Sequence, residues 1–513
     1  MKLTHFLPLL LLPMVFSCKP MQEPKEKSLE KASFYQRPPI FQFRPDENRA
    51  GQAIERFGPV GIGIDLHKPA WVMKIKNIEE GSPADLTGKL KAGMTIESIN
   101  GEILKDIDPR IQLGNIITQA EASDGKILLQ IREGGSGNAQ LVEVKIPVLG
   151  SYSKTWPLNC SKSDAIVKNL ANFLRQKEKV DLSYLEAPSV LFMLSTGNED
   201  DLKVVRKWVK QLVDQYAGAK TLKANNWTIG RMGTSLCEYY LRTGDKSIFP
   251  LLKLMANHAT WDMYNNGWAH GMYRGKEHMV PDVGMAFGYM GGGHMNACGV
   301  HMPTFLLLAK ECGVDVNEDT LQKSLKYFYR FASHGAVPYG DQLPEPTYVD
   351  NGRDGGLAFA MAAAASLTPN GENSVYAKAR DHAAVKGFYS TSWMLIGHTG
   401  GGVGELWRSA SMGLMHEKKP SKYREFMDNR QWWLELSRRW DGSFGILGGT
   451  QRYDQPMYWA VRMGMSYTVP RKTLRLTGAP KTKFSTSHQL PERPWGRAAD
   501  TAFHSIEPAV QPD

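Results

Sequence analysis

"GGLAFAMAAAASL", residues 355–367, decides the fold of this chain. It carries no charge and no β-branched residue, and its alanines and leucines are strong helix formers. A helix that is apolar or small all the way round has to be buried on every side. Stretches of the same kind recur as "TIGRMGTSLCEYYLR" (228–242), "ACGVHMPTFLLLAKEC" (297–312) and "GELWRSASMGLMH" (404–416), with further starts near 187 and 457. Between them lie charged, amphipathic helices with one wet face: "DAIVKNLANFLRQK" (164–177), "LKVVRKWVKQLVDQY" (202–216), "EDTLQKSLKYFYRFA" (318–332) and "SKYREFMDNRQWWLEL" (421–436). The buried type returns roughly every 40 to 70 residues, an irregular repeat of outer and inner helices. The alternation predicts an all-α domain over 160–470, an α/α toroid of about six helical hairpins. Several inner helices open in a Gly-rich loop: "GGGHMN" (291–296), "NGRDGG" (351–356) and "GHTGGGVGE" (397–405). A regular alternation of direction gathers these loops at one mouth of the ring.

Upstream the pattern changes. From Phe57 to Leu149 the chain is turn-rich and alternates with period two, as in Val72–Ile78 and Val142–Ile146, which reads as half-buried sheet. Asn100-Gly101 is a strong hairpin signal. Gly61-Ile62-Gly63-Ile64 and the segment "GSPADLTGKLKAGMTIESINGE" (81–102) resemble a PDZ domain, placed here at 53–150. That resemblance implies that Gly61, Ile62, Gly63 and Ile64 take the C-terminal carboxylate of a peptide or protein partner. Strand 62–66 would then offer an edge to the peptide, and the helix near 109–121 would form the other wall of the groove.

The first eighteen residues, "MKLTHFLPLLLLPMVFSC", pair a weak basic start with a short apolar run, too short to span a bilayer. They resemble a bacterial lipoprotein signal, which implies lipidation at Cys18, a membrane anchor and a place on the periplasmic side of the cell envelope, or else secretion. Residues 19–52 are polar and rich in Pro, Lys and Glu, as a tether is. The four remaining cysteines, Cys160, Cys237, Cys298 and Cys312, fit no zinc spacing, and no cofactor is implied. The formal net charge of +10 favours anionic partners. Part of that charge is concentrated in a basic C-terminal extension, 471–513, read as solvated. No nucleic-acid module accompanies it.

"LELSRRWDGSFG" (434–445) resembles the Q/W-type repeat of terpenoid cyclases and prenyltransferase β-subunits, and "NNWTIGRMGTSLCEYYLRTGD" (225–245) resembles a toroid repeat. The whole arrangement is similar to an exported bacterial family of unknown function with a PDZ domain followed by a toroid, which implies fold more than activity. No DxDD motif or ring of zinc ligands is present. "GHTGGGVGE" lacks the Lys-Ser/Thr of a phosphate loop and follows no strand. Polar groups do cluster near the inner-helix starts: Trp227 and Arg231; His294, Asn296 and His301; Tyr339 and Asp341; Asp350, Arg353 and Asp354; His398, Glu405 and Arg408; Arg452, Tyr453 and Asp454. With Trp268, Tyr289, Trp407 and Tyr458 nearby for stacking, they fit a glycan cleft. The candidate catalytic set is His294, Asp354, His398, Glu405 and Arg408. Its carboxylates suit hydrolysis, and its His and Arg suit proton abstraction next to a uronate carboxylate. The expectation is an envelope protein that binds a partner through its PDZ domain and a ligand, such as an anionic glycan, in the ring. The alternative is a polysaccharide lyase or glycoside hydrolase working at the Gly-rich mouth. Whether the ring is catalytic stays open at this level.

Overall fold

The computed structural model describes residues 52–54, 56–67, 72–103, 109–134, 137–264, 266–269, 294–332, 335–340, 352–389, 403–447 and 458–494. The leader, Cys18, the tether and His398 lie outside these residues.

The N-terminal module is a six-stranded antiparallel sheet in the order β1-β2-β3-β4-β5-β6. The strands are β1 (Gln52–Ile54), β2 (Ile62–His67), β3 (Val72–Ile78), β4 (Thr95–Ile99), β5 (Lys126–Arg132) and β6 (Ala139–Lys145), with helix α1 (Arg110–Ala122) between β4 and β5. The period-two expectation is met: Met73 and Ile75 are buried while Lys74 and Lys76 face water. Asn100 and Gly101 take φ of 53° and 78°, the left-handed pair that a tight two-residue turn demands.

The helical domain begins with α2 (Ser161–Arg175), α3 (Ala187–Ser195), α4 (Glu199–Gln215), α5 (Asn226–Thr243) and α6 (Phe249–Trp261). It continues through α7 (Asn296–Gly299), α8 (His301–Cys312), α9 (Glu318–Tyr329), α10 (Arg353–Ser366), α11 (Val375–Tyr389), α12 (Val403–Met412) and α13 (Pro420–Ser437). A 3-10 helix, Trp459–Gly464, and the short α14 (Met465–Thr468) complete it. Side-chain caps fix several starts: Asn198, Asn225 and Asn317 each accept a hydrogen bond from the first turn of α4, α5 and α9. Gly244 and Gly313, both left-handed, end α5 and α8.

The buried helices form a closed ring. α3 packs on α5, α5 on α8, α8 on α10, α10 on α12, α12 on helix 459–464, and that helix returns to α3. The amphipathic helices α2, α4, α6, α9, α11 and α13 pack outside them. Six inner elements starting where the sequence places them is the predicted arrangement. Small residues set the spacing: a Cβ on Gly230 of α5 would lie 3.0 Å from the His301 backbone of α8.

The sheet module docks on the ring through α1, which runs along α13. A Cβ on Gly114 would sit 2.6 Å from the Cα of Trp432. Behind this contact four buried charged side chains meet. Lys162 Nζ lies 2.9 Å from Glu121 and 2.7 Å from Glu435. Arg438 reaches Glu121 at 2.7 Å and also pairs with Glu435.

The C-terminal segment departs from the expectation of a solvated tail. Leu474, Leu476 and Leu490 are buried, and Arg475 donates to Glu311 of α8 at 2.6 Å. The backbone N–H groups of Arg475 and Leu476 donate to Glu238 of α5 at 3.0 and 2.7 Å. Glu238 stands twelve residues into α5 and Glu311 near the end of α8, so this segment closes the C-terminal end of the ring. Burial raises the Glu238 carboxyl to about 7, against the two N–H groups that favour its charge. The basic residues counted as a free tail are thus partly a floor. Residues 495–513 lie outside the described ones.

Candidate functional site

An axial cavity opens where the N-terminal halves of the inner elements converge. Every member of the ring contributes: Ala187, Pro188 and Leu191 from α3; Arg231, Thr234 and Ser235 from α5; His301 and Thr304 from α8; Phe359 from α10; Trp407 from α12; Arg462 from helix 459–464. Leu476 rises from the floor segment. Because early residues of each element share one cavity, the inner helices run in the same direction, with their positive dipole ends on this side.

The free space in the cavity is about 20 Å³, room for about one water-sized group.

Its wall is a stack of cations and aromatic rings. Trp227 and Arg231, four residues apart on α5, share a face, and the Arg231 guanidinium carbon lies 4.4 Å from the Trp227 ring centre. The same carbon is 5.3 Å from the Trp407 ring, and that of Arg462 is 4.1 Å from it. The His301 ring lies 4.6 Å from Trp407, tilted by 35°. Arg231 donates to His301 Nε2 at 3.3 Å. A guanidinium has only donors, so Nε2 accepts and the ring proton belongs on Nδ1. Burial, then the charges of Arg231 and Arg462, hold the His301 pKa well below its ordinary value, so the imidazole is neutral at pH 7. Burial and the Arg231 charge likewise work against the charged form of Arg462.

Three of the five sequence candidates, His294, Asp354 and Arg408, stand apart from this cavity. His294 is fully buried between layers, with Nδ1 3.2 Å from the Tyr327 hydroxyl of outer helix α9 and Nε2 on the carbonyl of Tyr264. Asp354 braces α10 to the outer layer, its Oδ1 3.2 Å from both Lys386 Nζ of α11 and the Val337 N–H. Arg408 is buried with its backbone beside Gly387 of α11. None of these three lines the cavity. Glu405 belongs to α12, and His398 lies outside the described residues. His294 and Asp354, marked by residue type near inner-helix starts, are structural braces. Trp227, Arg231, His301 and Trp407 were legible as polar or aromatic groups at those starts. Arg462 was missed; its signal is a single charge inside the otherwise apolar "YWAVRMGMSY" (458–467).

The predicted peptide loop is also placed. β1 pairs antiparallel with β2, Ile54 opposite Ile64 and Gln52 opposite Leu66, and Phe57 N–H donates to the Ile62 carbonyl at 2.7 Å. The chain's own residues 52–54 and 57 thus line the edge of β2 on which a peptide was expected. Trp440, in the turn after α13, packs on Gly61 and Gly81. Among the described residues no His, Cys, Asp and Glu cluster suits a metal ion, and no helix is long and apolar enough to cross a membrane. Cys160, Cys237, Cys298 and Cys312 are buried free thiols.

Comparison with solved structures finds similarity to an inactive double variant of the α-1,6-mannanase GH76A of Salegentibacter sp. HEL1_6 in complex with α-1,6-mannotriose. The two are 13% identical with a TM-score of 0.41, covering 60% of this chain and 98% of that one. A second structure of GH76A α-1,6-mannanase from the same organism is 12% identical, with a TM-score of 0.41 and coverage of 60% and 99%. No curated protein matches the chain. One family matches residues 163–478, which span the helical ring from α2 to the first part of its floor, and the chain belongs to that family, described as Domain of unknown function (DUF6288).

Proposed function

We propose that the helical ring is a carbohydrate-active module that receives a saccharide at its axial cavity. One observation carries this reading: Arg231, His301, Trp407 and Arg462, drawn from four different ring elements, line one cavity, with Trp227 stacked against Arg231. Aromatic faces suit the apolar side of a sugar ring, and converging donors suit its oxygens. The described lining contains no Asp or Glu; the side chain of Glu405 and the Gly-rich segment 397–402, where the hydrolase alternative places its site, lie outside the described residues. In a panel of acidic and neutral oligosaccharides, the full chain should bind at least one. Trp407→Ala should weaken that binding by roughly thirtyfold, as expected of an aromatic anchor. Calorimetry showing no saccharide bound at millimolar concentration would overturn the reading.

The sheet module we read as a PDZ-like domain turned to docking within the chain. β1 along β2 supports this, as do Trp440 over the glycine loop and α1 along α13. A labelled panel of peptides with free C-termini should show no saturable binding. Micromolar binding that competes with β1 would return the module to peptide recognition.

A further inference from the structure

Two buried thiols meet between neighbouring inner helices. Glycines set the register of α5 on α8: a Cβ on Gly230 would lie 3.0 Å from the His301 backbone, and one on Gly233 would lie 2.4 Å from the Phe305 ring. The helices run the same way, so successive turns of α5 meet successive turns of α8, and Cys237 stands one turn beyond Gly233. Side chains on a helix lean toward its N-terminus, which carries Cys312, the last residue of α8, back to that level. Its Sγ lies 3.6 Å from the Cys237 carbonyl oxygen. Both residues are buried free thiols. Cys160 and Cys298 have other neighbours: the Ser153 N–H donates to Cys160 Sγ at 3.4 Å, and Cys298 Sγ donates to the Ala269 carbonyl at 3.2 Å.

We infer that Cys237 and Cys312 are a disulfide site, closed by thiol–disulfide exchange as the chain folds and stapling α5 to α8. A disulfide needs Cα atoms no more than about 7 Å apart, and Gly230 and Gly233 remove the side chains that would hold these helices further apart. The oxidant is an external disulfide, small or carried by a protein. The thiolate of one cysteine attacks a sulfur of its S–S bond, forming a mixed disulfide and expelling one oxidant thiolate. The thiolate of the other cysteine then attacks the protein sulfur, forming the Cys237–Cys312 bond and expelling the second. The two protons lost by the cysteines end on the two oxidant thiols, so two cysteines are oxidised and one external disulfide is reduced.

The surroundings assign the step to folding. Burial first, then the side-chain hydrogen bond to Cys237, hold the Cys312 thiol well above its ordinary value, so the folded ring carries little thiolate to react. The floor segment also covers the end of α8, where the Thr486 N–H donates to the Glu311 carbonyl at 2.8 Å. The bond closes a loop through residues 238–311 and stabilises chiefly by restricting the unfolded chain. It also fixes the spacing of the adjoining carboxylates: Glu238 accepts the Leu476 N–H at 2.7 Å, and Glu311 accepts the Arg475 side chain at 2.6 Å. The staple therefore holds the ring where its floor is seated.

The test unfolds the reduced full chain in urea, refolds it in mixed reduced and oxidised glutathione, alkylates it under denaturing conditions and digests it without reductant. Tryptic peptides 232–242 and 311–323 should appear joined, with a mass two hydrogens below their sum. The oxidised chain should unfold at a urea midpoint higher by roughly 0.5–1 M than the same chain refolded in excess reductant. Cys312→Ala should give no joined peptide and one midpoint under both conditions. Should that variant fail to fold, the peptide map of the unaltered chain decides alone. Both cysteines found alkylated, either one joined to a different cysteine, or an oxidised chain whose midpoint does not rise overturns the inference.

Discussion

Lys162→Met lowers the unfolding free energy of the chain by about 3–5 kcal/mol, the range for stripping one partner from a buried ion network. The Lys162 side chain is fully buried and faces Glu121 of α1 at 2.9 Å and Glu435 of α13 at 2.7 Å. Without it, two carboxylates share the single guanidinium of Arg438, and one of them keeps a charge with nothing to offset its desolvation. The same lysine stacks 4.3 Å over Tyr152, so packing is lost as well. Urea denaturation at neutral pH measures the effect, with Lys203→Met, whose exposed partner is Asp200, as the control that should not move. A loss under about 1 kcal/mol would show that the network contributes little.

The pH dependence carries a sign. Burial pushes the Glu435 carboxyl up, but Arg438 and Lys162 outweigh it and hold the folded pKa below the ordinary value. The unfolded chain therefore binds this proton more readily. The contribution is fully present above the ordinary carboxylate pKa and is lost as pH falls through the folded value. Wild type should lose stability on acidification through that window, and Lys162→Met should begin that loss at higher pH.

Gly355→Val should destabilise by about 3 kcal/mol and abolish ligand binding at the axial cavity. A Cβ on Gly355 would stand 2.6 Å from the Trp407 carbonyl oxygen and 2.8 Å from its carbon. Backbone cannot rotate aside as a side chain does, so α10 and α12 must separate. The intrinsic helix preference of other residues over glycine, about 0.5–1 kcal/mol for alanine, is too small to offset this. Separation carries Trp407 away from Arg231 and Arg462, which links the stability loss to function. A variant with a wild-type melting temperature and undiminished saccharide affinity would contradict the close α10–α12 contact.

Much of the ring was legible because its signals are local. "GGLAFAMAAAASL" has one possible environment, the interior, and "LKVVRKWVKQLVDQY" has one wet face, so inner and outer helices separate by composition alone. Asn caps and Gly stops mark the ends for the same local reason. The site was less legible. His294 and Asp354 have the residue types of catalysis, yet face Tyr327 and Lys386 in the outer layer. A helix start carries side chains toward both the axis and the outer layer, and proximity to a Gly-rich loop does not tell the two apart. Arg462 was hidden because one arginine in an apolar run resembles a helix-end charge.

By itself the sequence determined the order of modules, the alternation of wet and buried helices, the count of inner elements and the strand periodicity of the first module. Each follows from side-chain patterning over a few turns. Tertiary structure alone decided three things. Ring closure, joining helix 459–464 to α3, brought Arg231, His301, Trp407 and Arg462 to one axis across more than two hundred residues of sequence. Docking of the sheet module buried Lys162 of α2 against carboxylates from two other helices, α1 and α13. Pairing of β1 with β2 covered one edge of β2 with the chain's own strand. In the first two the decisive contacts lie far apart in sequence, where no local period records them.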